Sequence, residues 1–166
     1  ANECDWTKYV TFALKDTTEA KNAGKYTITV SPKDESLQGS LETSVLIQRR
    51  ELNKDELSTP NFGNMTLVYD GTNQKQALLD ALTLTNEKGD TVYAKGSDQT
   101  EAFFAEAEVK NAGKYTLTIK AAANGNYSGE VTYEVEIQPR ALNKDELSTP
   151  NFGNMTLVYD GTNQKQ

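Results

Sequence analysis

"NAGKYTLTIK" (Asn111–Lys120) and "VTYEVEIQPR" (Val131–Arg140) carry the decisive pattern of this 166-residue chain. In the first, Tyr115, Leu117 and Ile119 alternate with Thr116, Thr118 and Lys120. In the second, Val131, Tyr133, Val135 and Ile137 alternate with Thr132, Glu134, Glu136 and Gln138. Side chains two apart on an extended chain share a face, so each stretch reads as a strand with one face buried and one in water. Thr, Val and Tyr suit such a pleated surface.

Turn signals flank these strands. Asp70-Gly71, Asn111-Ala112-Gly113, Asn124-Gly125-Asn126 and Ser128-Gly129 supply residues that accept left-handed backbone at low cost. Strands are expected over Met65–Tyr69, Ala81–Thr85, Thr91–Ala94, Ala102–Val109, Lys114–Lys120, Ser128–Val131 and Thr132–Gln138. "ALLDALTL" (Ala77–Leu84) is ambiguous, because Leu78, Leu79 and Leu82 also fit a period near 3.6; we read it as strand, with a helical turn as the alternative. Short strands at this spacing point to an all-β chain of tandem immunoglobulin-like antiparallel β-sandwich modules. No antibody-style disulfide is available, since Cys4 is the only cysteine, and a lone thiol of this kind reads as a small hydrophobe.

The chain also repeats itself. "LNKDELSTPNFGNMTLVYDGTNQKQ" occupies Leu52–Gln76 and returns unchanged as Leu142–Gln166. "KNAGKYTITV" (Lys21–Val30) answers "KNAGKYTLTI" (Lys110–Ile119), and "SLETSVLIQRR" (Ser40–Arg50) answers "EVTYEVEIQPR" (Glu130–Arg140), with one residue lost between those blocks. The organisation is therefore the back half of a module over residues 1–50, a complete module over 51–140 and the front half of the next over 141–166. "YDGTNQKQ" followed by "ANECDW" would continue the pattern, as expected of a piece of a longer array. At the joint, "EIQPRALN" leaves almost no linker, and Pro139 should keep the connection extended and stiff.

Composition narrows the function. The net charge of −7, with no basic run, argues against nucleic acid. No apolar stretch reaches the roughly 18–20 residues of a membrane span. The internal "KDEL" sequences (Lys54–Leu57, Lys144–Leu147) are not C-terminal retention signals. Sequons at Asn64, Asn126 and Asn154 are short enough to arise by chance.

With no histidine, the usual general base near neutral pH and the centre of most hydrolase triads are missing. Neither a phosphate loop nor paired-cysteine metal spacing occurs, so no catalytic, cofactor or metal site is assigned. Three candidate sites are weighed against plainer readings. Asn53, Asp55 and Glu56, with Asn143, Asp145 and Glu146, could offer calcium oxygen ligands at the joints; solvated turns are preferred. A Lys–Asn isopeptide bond would need a buried carboxylate beside the pair. Trp6, Tyr9 and Phe12 could stack on sugars, but packing is preferred for them, as for Tyr69, Tyr115, Tyr127 and Tyr133.

"VYDGT" (Val68–Thr72, again Val158–Thr162), "NAGKYTLTIKAAANGNYSG" (Asn111–Gly129) and "TYEVEIQPRAL" (Thr132–Leu142) together resemble the bacterial Ig-like repeats of large surface proteins, the MBG or YDG-type repeats. Their order and spacing match across the complete module. The first half-module departs: "SPKDESLQG" (Ser31–Gly39) lacks the Gly-Asn-Tyr turn, and Arg49 stands in place of proline. The resemblance implies an extracellular, cell-surface-attached bacterial protein, commonly an adhesin, in which such modules form the stalk.

The expected function is thus a non-enzymatic spacer, with direct adhesion to a host glycan or protein as the alternative. Structural roles are expected for Tyr69, Asp70 and Gly71 at a corner, Asn111 and Gly113 at a turn, Gly125, Tyr127 and Gly129 at another, and Pro139 at the joint. Half a sandwich leaves an apolar face and strand edges uncovered. Residues 141–166 of one chain are expected to complement residues 1–50 of another, head to tail.

Overall fold

The computed structural model describes residues 6–148 together with Tyr159 and Gly161. After a short 3-10 turn at Trp6–Lys8, the strands are β1 (Val10–Leu14), β2 (Gly24–Pro32), β3 (Leu41–Ile47) and β4 (Arg50–Glu51). A second 3-10 turn (Lys54–Glu56) and helix α1 (Lys75–Ala81) follow. Then come β5 (Leu84–Thr85), β6 (Thr91–Tyr93), β7 (Thr100–Phe104), β8 (Gly113–Ala121), β9 (Tyr127–Ser128) and β10 (Glu130–Ile137), with a third 3-10 turn at Lys144–Glu146.

The chain is all-β in character, built on two antiparallel three-stranded sheets, β1-β2-β3 and β7-β8-β10. In the second, Leu117 faces Tyr133 on one side and Phe104 on the other, and Ile119 faces Val131 and Ala102. Directly paired residues share a face, so the alternation of each strand sums to one apolar surface. Along β10 every second residue is buried, and Leu117, Ile119 and Ile137 are fully enclosed. Each such side chain contributes about 1.5–3 kcal/mol over its exposed state.

A layer folded from residues 52–93, with Val109, covers this face. Leu52, Phe62, Leu78, Leu82, Leu84, Val92, Tyr93 and Val109 join the sheet residues in one core. The layer consists of α1, the β5–β6 pair and single bridges at Leu57–Asn86 and Asn61–Thr83, while β4 pairs parallel with β9.

Several expected strands are shorter or different. The helical alternative holds for Ala77–Ala81, and strand survives only at Leu84–Thr85. Leu78 and Leu82 are fully buried, and the Leu82 N–H donates to the Leu78 carbonyl as the helix closes. Met65–Tyr69 makes a single parallel bridge, Val68 to Gln138. There the Val68 N–H turns back on the Thr66 carbonyl, and the Val68 carbonyl accepts from Gln74 Nε2, so neither group is free to extend a ladder.

β7 ends at Phe104 rather than at Val109: the Glu106 carboxylate accepts the Thr116 N–H, and Lys75 Nζ takes the Glu106 carbonyl. The expected strand Ser128–Val131 breaks at Gly129 (φ +76°), where the chain leaves β9 for β10. A side chain is rarely tolerated at that φ, so the change of sheet depends on glycine there.

The two sheets share a register. β1, β2 and β3 correspond to β7, β8 and β10. Gly24 faces Ile47 as Gly113 faces Ile137, and Val10 faces Pro32 as Thr100 faces Ala121. The one-residue deletion falls between β2 and β3, in a connecting loop.

Candidate functional site: the joint and the open sheet face

The two sheets meet at a hydrogen-bonded joint. On the first side lies the turn Asn22-Ala23-Gly24, closed by the Tyr26 hydroxyl donating to the Asn22 carbonyl (2.8 Å). On the second lies the turn Asn124–Tyr127. Asn126 joins them: its Oδ1 accepts the Ala23 N–H (2.7 Å), and its Nδ2 donates to Asn22 Oδ1 (3.0 Å). The Asn126 carbonyl accepts the Arg50 N–H (2.9 Å), next to the β4–β9 pair, and Arg49 donates to the Ala123 carbonyl.

Gln99 braces Asn126 from behind. The Asn126 N–H donates to Gln99 Oε1 (2.8 Å), and the Ala122 N–H to the Gln99 carbonyl (3.0 Å). Gly125 passes so close that a Cβ there would lie 2.9 Å from the Gln99 carbonyl oxygen. Asn126 was legible as a turn residue and a sequon, but its role across the joint was not. The clue in the sequence is that Gly-Asn-Tyr occurs once, while Asn-Ala-Gly occurs twice.

A second feature is the apolar face of β1-β2-β3. Phe12, Val30 and Leu41 lie in register across it, as do Leu14, Ile28 and Thr43. Its counterpart in the second sheet is covered, whereas among the described residues no comparable layer covers this face. Leu41 is 73% exposed where Val131 is 8%, and Val45 is 42% exposed where Val135 is 4%. A groove of about 590 Å³ runs over it, lined by Val10, Phe12, Val30, Pro32, Leu37 and Leu41.

The expectation that Tyr9 and Phe12 pack in a core is therefore corrected, since both are exposed (46% and 58%). Phe12 shares the sheet face that carries Val30 and Leu41, over which no layer lies among the described residues. Tyr133 is buried, Tyr115 and Tyr127 pack against the core, and Tyr69 is 37% exposed. The Trp6 side chain, Cys4 and Asn154 lie outside the described residues.

At the joints, Glu56 and Glu146 are ion-paired. Asn53 Oδ1 caps its 3-10 turn by accepting the Asp55 N–H (3.1 Å), and Glu56 accepts from Arg50 (2.7 Å). The same pair of contacts recurs at Asn143–Asp145 and Arg140–Glu146. Among the described residues no cluster of three His, Cys, Asp or Glu side chains could hold a metal. Nor is a Lys–Asn pair buried with a carboxylate: the buried polar residues described are Gln74, Thr100 and Thr118.

The corner is formed as expected. Asp70 Oδ1 accepts both the N–H and the hydroxyl of Thr72 (2.8 Å each), which holds its carboxyl below the usual range, and Gly71 takes φ +84°. Among the described residues no helix is long and apolar enough to cross a membrane. No protein-family model, curated protein or solved structure matches the chain.

Proposed function

We propose that this chain is a spacer: tandem Ig-like modules of an adhesin-like bacterial protein, working outside the cell to hold a binding domain away from its surface. The observation that carries this reading is the recurrence of one three-stranded sheet, in one register, on either side of a hydrogen-bonded joint. A joint of that kind fixes direction, and a series of them makes a rod, whereas a Gly/Ser linker would make a coil. The resemblance of the complete module to YDG-type surface repeats supports the location. A chain without histidine, whose exposed carboxylates are mostly solvated or ion-paired, fits mechanical work better than catalysis.

Self-association belongs to the same reading. In the complete module Leu52, Phe62 and their neighbours cover the second sheet, and residues 142–166 repeat that sequence. That segment of one chain would cover the β1-β2-β3 face of another, head to tail. It carries no counterparts of Leu78, Leu82 and Leu84, so the completed unit is weaker than the intact module.

Scattering from chains carrying one, two and four added copies of residues 51–140 tests the spacer. The longest dimension should rise in equal steps, and a globular trend would contradict it. The exposed Phe12 and its groove favour one alternative, direct adhesion to a host glycan or protein. Glycan-array binding lost in Phe12→Ala would promote it.

A further inference from the structure

We propose that the turn Asn111-Ala112-Gly113 is a docking socket for the Gly-Asn-Tyr turn of a further module, used as Asn22-Ala23-Gly24 uses Asn126. The two turns are built alike. Tyr115 donates to the Asn111 carbonyl at 2.7 Å as Tyr26 donates to Asn22 at 2.8 Å, and each turn leads into the central strand of its sheet through a glycine at matching register. They differ in occupancy. Ala23 is half-buried and its N–H is bonded to Asn126, whereas Ala112 is exposed and neither its N–H nor the Asn111 side chain has a partner among the described residues.

The donor and acceptor that grip Asn126 on one side are thus presented again on the other, already held in shape by Tyr115. An amide is what fits: Oδ1 and Nδ2 of one asparagine meet a backbone N–H and an Asn Oδ1 together. Aspartate would set its charge against the Asn111 oxygen, and serine is too short to reach both groups. The backbone N–H of Arg140 corresponds to that of Arg50, which holds the Asn126 carbonyl; Pro139 replaces Arg49, so the bond to the Ala123 carbonyl has no equivalent.

The single Gly-Asn-Tyr turn of this chain is already engaged by its own first module. The partner is therefore another module in line rather than a second copy of the chain as it stands. The direction of the array follows: each module's Asn-Ala-Gly turn grips the next module's Gly-Asn-Tyr turn. "SPKDESLQG" (Ser31–Gly39), at the corresponding place in the first half-module, offers no such asparagine, so nothing can dock there in this way.

The inference rests on the tandem reading, and amide hydrogen exchange can separate the two. In the present chain Ala23 should be protected and Ala112 open, and Asn126→Ala should speed Ala23 exchange about tenfold, the loss of one well-placed hydrogen bond. Appending residues 77–140 after Gln166 should protect both Leu142 and Ala112. Alanine at the appended Gly-Asn-Tyr turn should then release Ala112 alone. Leu142 protected with Ala112 still open would overturn the socket and leave the tandem reading standing. Both remaining open would overturn both.

Discussion

Leu52 and Leu142 begin the same 25-residue sequence and meet opposite fates: the first is 6% exposed, the second 89%. Their neighbours form the same capped 3-10 turn and the same Arg–Glu pair. Local structure here is a property of the sequence, and burial is a property of what surrounds it. Leu52→Ala should accordingly cost about 2–4 kcal/mol in chemical denaturation of the core over residues 51–140, while Leu142→Ala should be neutral within error. Equal effects would mean that the layer over the second sheet does not depend on Leu52. Gly125 is a sharper case. A methyl group there meets the Gln99 carbonyl at 2.9 Å, so Gly125→Ala should destabilise by about 1–3 kcal/mol and loosen the adjoining joint. Calorimetric melting checks the first effect, and Ala23 amide exchange the second.

At the scale of elements, the alternation of β8 and β10 was legible because one face of each meets the core, although the expected boundary at Val131–Thr132 falls inside β10 and Thr118 of β8 is buried as well. α1 was not: Leu78, Leu79 and Leu82 suit either period, and tertiary packing against β7 decided between them. Met65–Tyr69 and the end of the expected strand Ala102–Val109 are not strand, because side chains from Gln74, Glu106 and Lys75 took their backbone partners, and no pattern of apolar residues reports that. Leu78 has no counterpart in residues 142–166. Leu78→Ala should cost about 3–5 kcal/mol, read from denaturant midpoints; a loss under 1 kcal/mol would mean the helix is dispensable to the core.

The core adds a dependence on alkaline pH. Burial raises the Tyr93 and Tyr133 phenols above their ordinary value of about 10. The folded chain then holds these protons after the unfolded chain has released them. Stability present below the ordinary value is lost as pH rises through it toward the raised ones. Tyr93→Phe with Tyr133→Phe should flatten that fall, measured as denaturation midpoint against pH.

At the scale of the whole molecule, the repeated stretches were legible as letters, but exposure of the β1-β2-β3 face depends on which segments lie over it. Asn126 was not singled out, because one asparagine in a turn resembles any other until its single Gly-Asn-Tyr turn is set against the two Asn-Ala-Gly turns. We propose that a second chain closes this face, the exposed twin of a covered one among the described residues. Light scattering across a range of concentrations tests this most directly, with the present chain set beside Phe12→Lys combined with Leu41→Lys. The expected result is a mass that climbs with concentration in the first and stays monomeric in the second. A monodisperse monomer at high concentration, before any substitution, would contradict it.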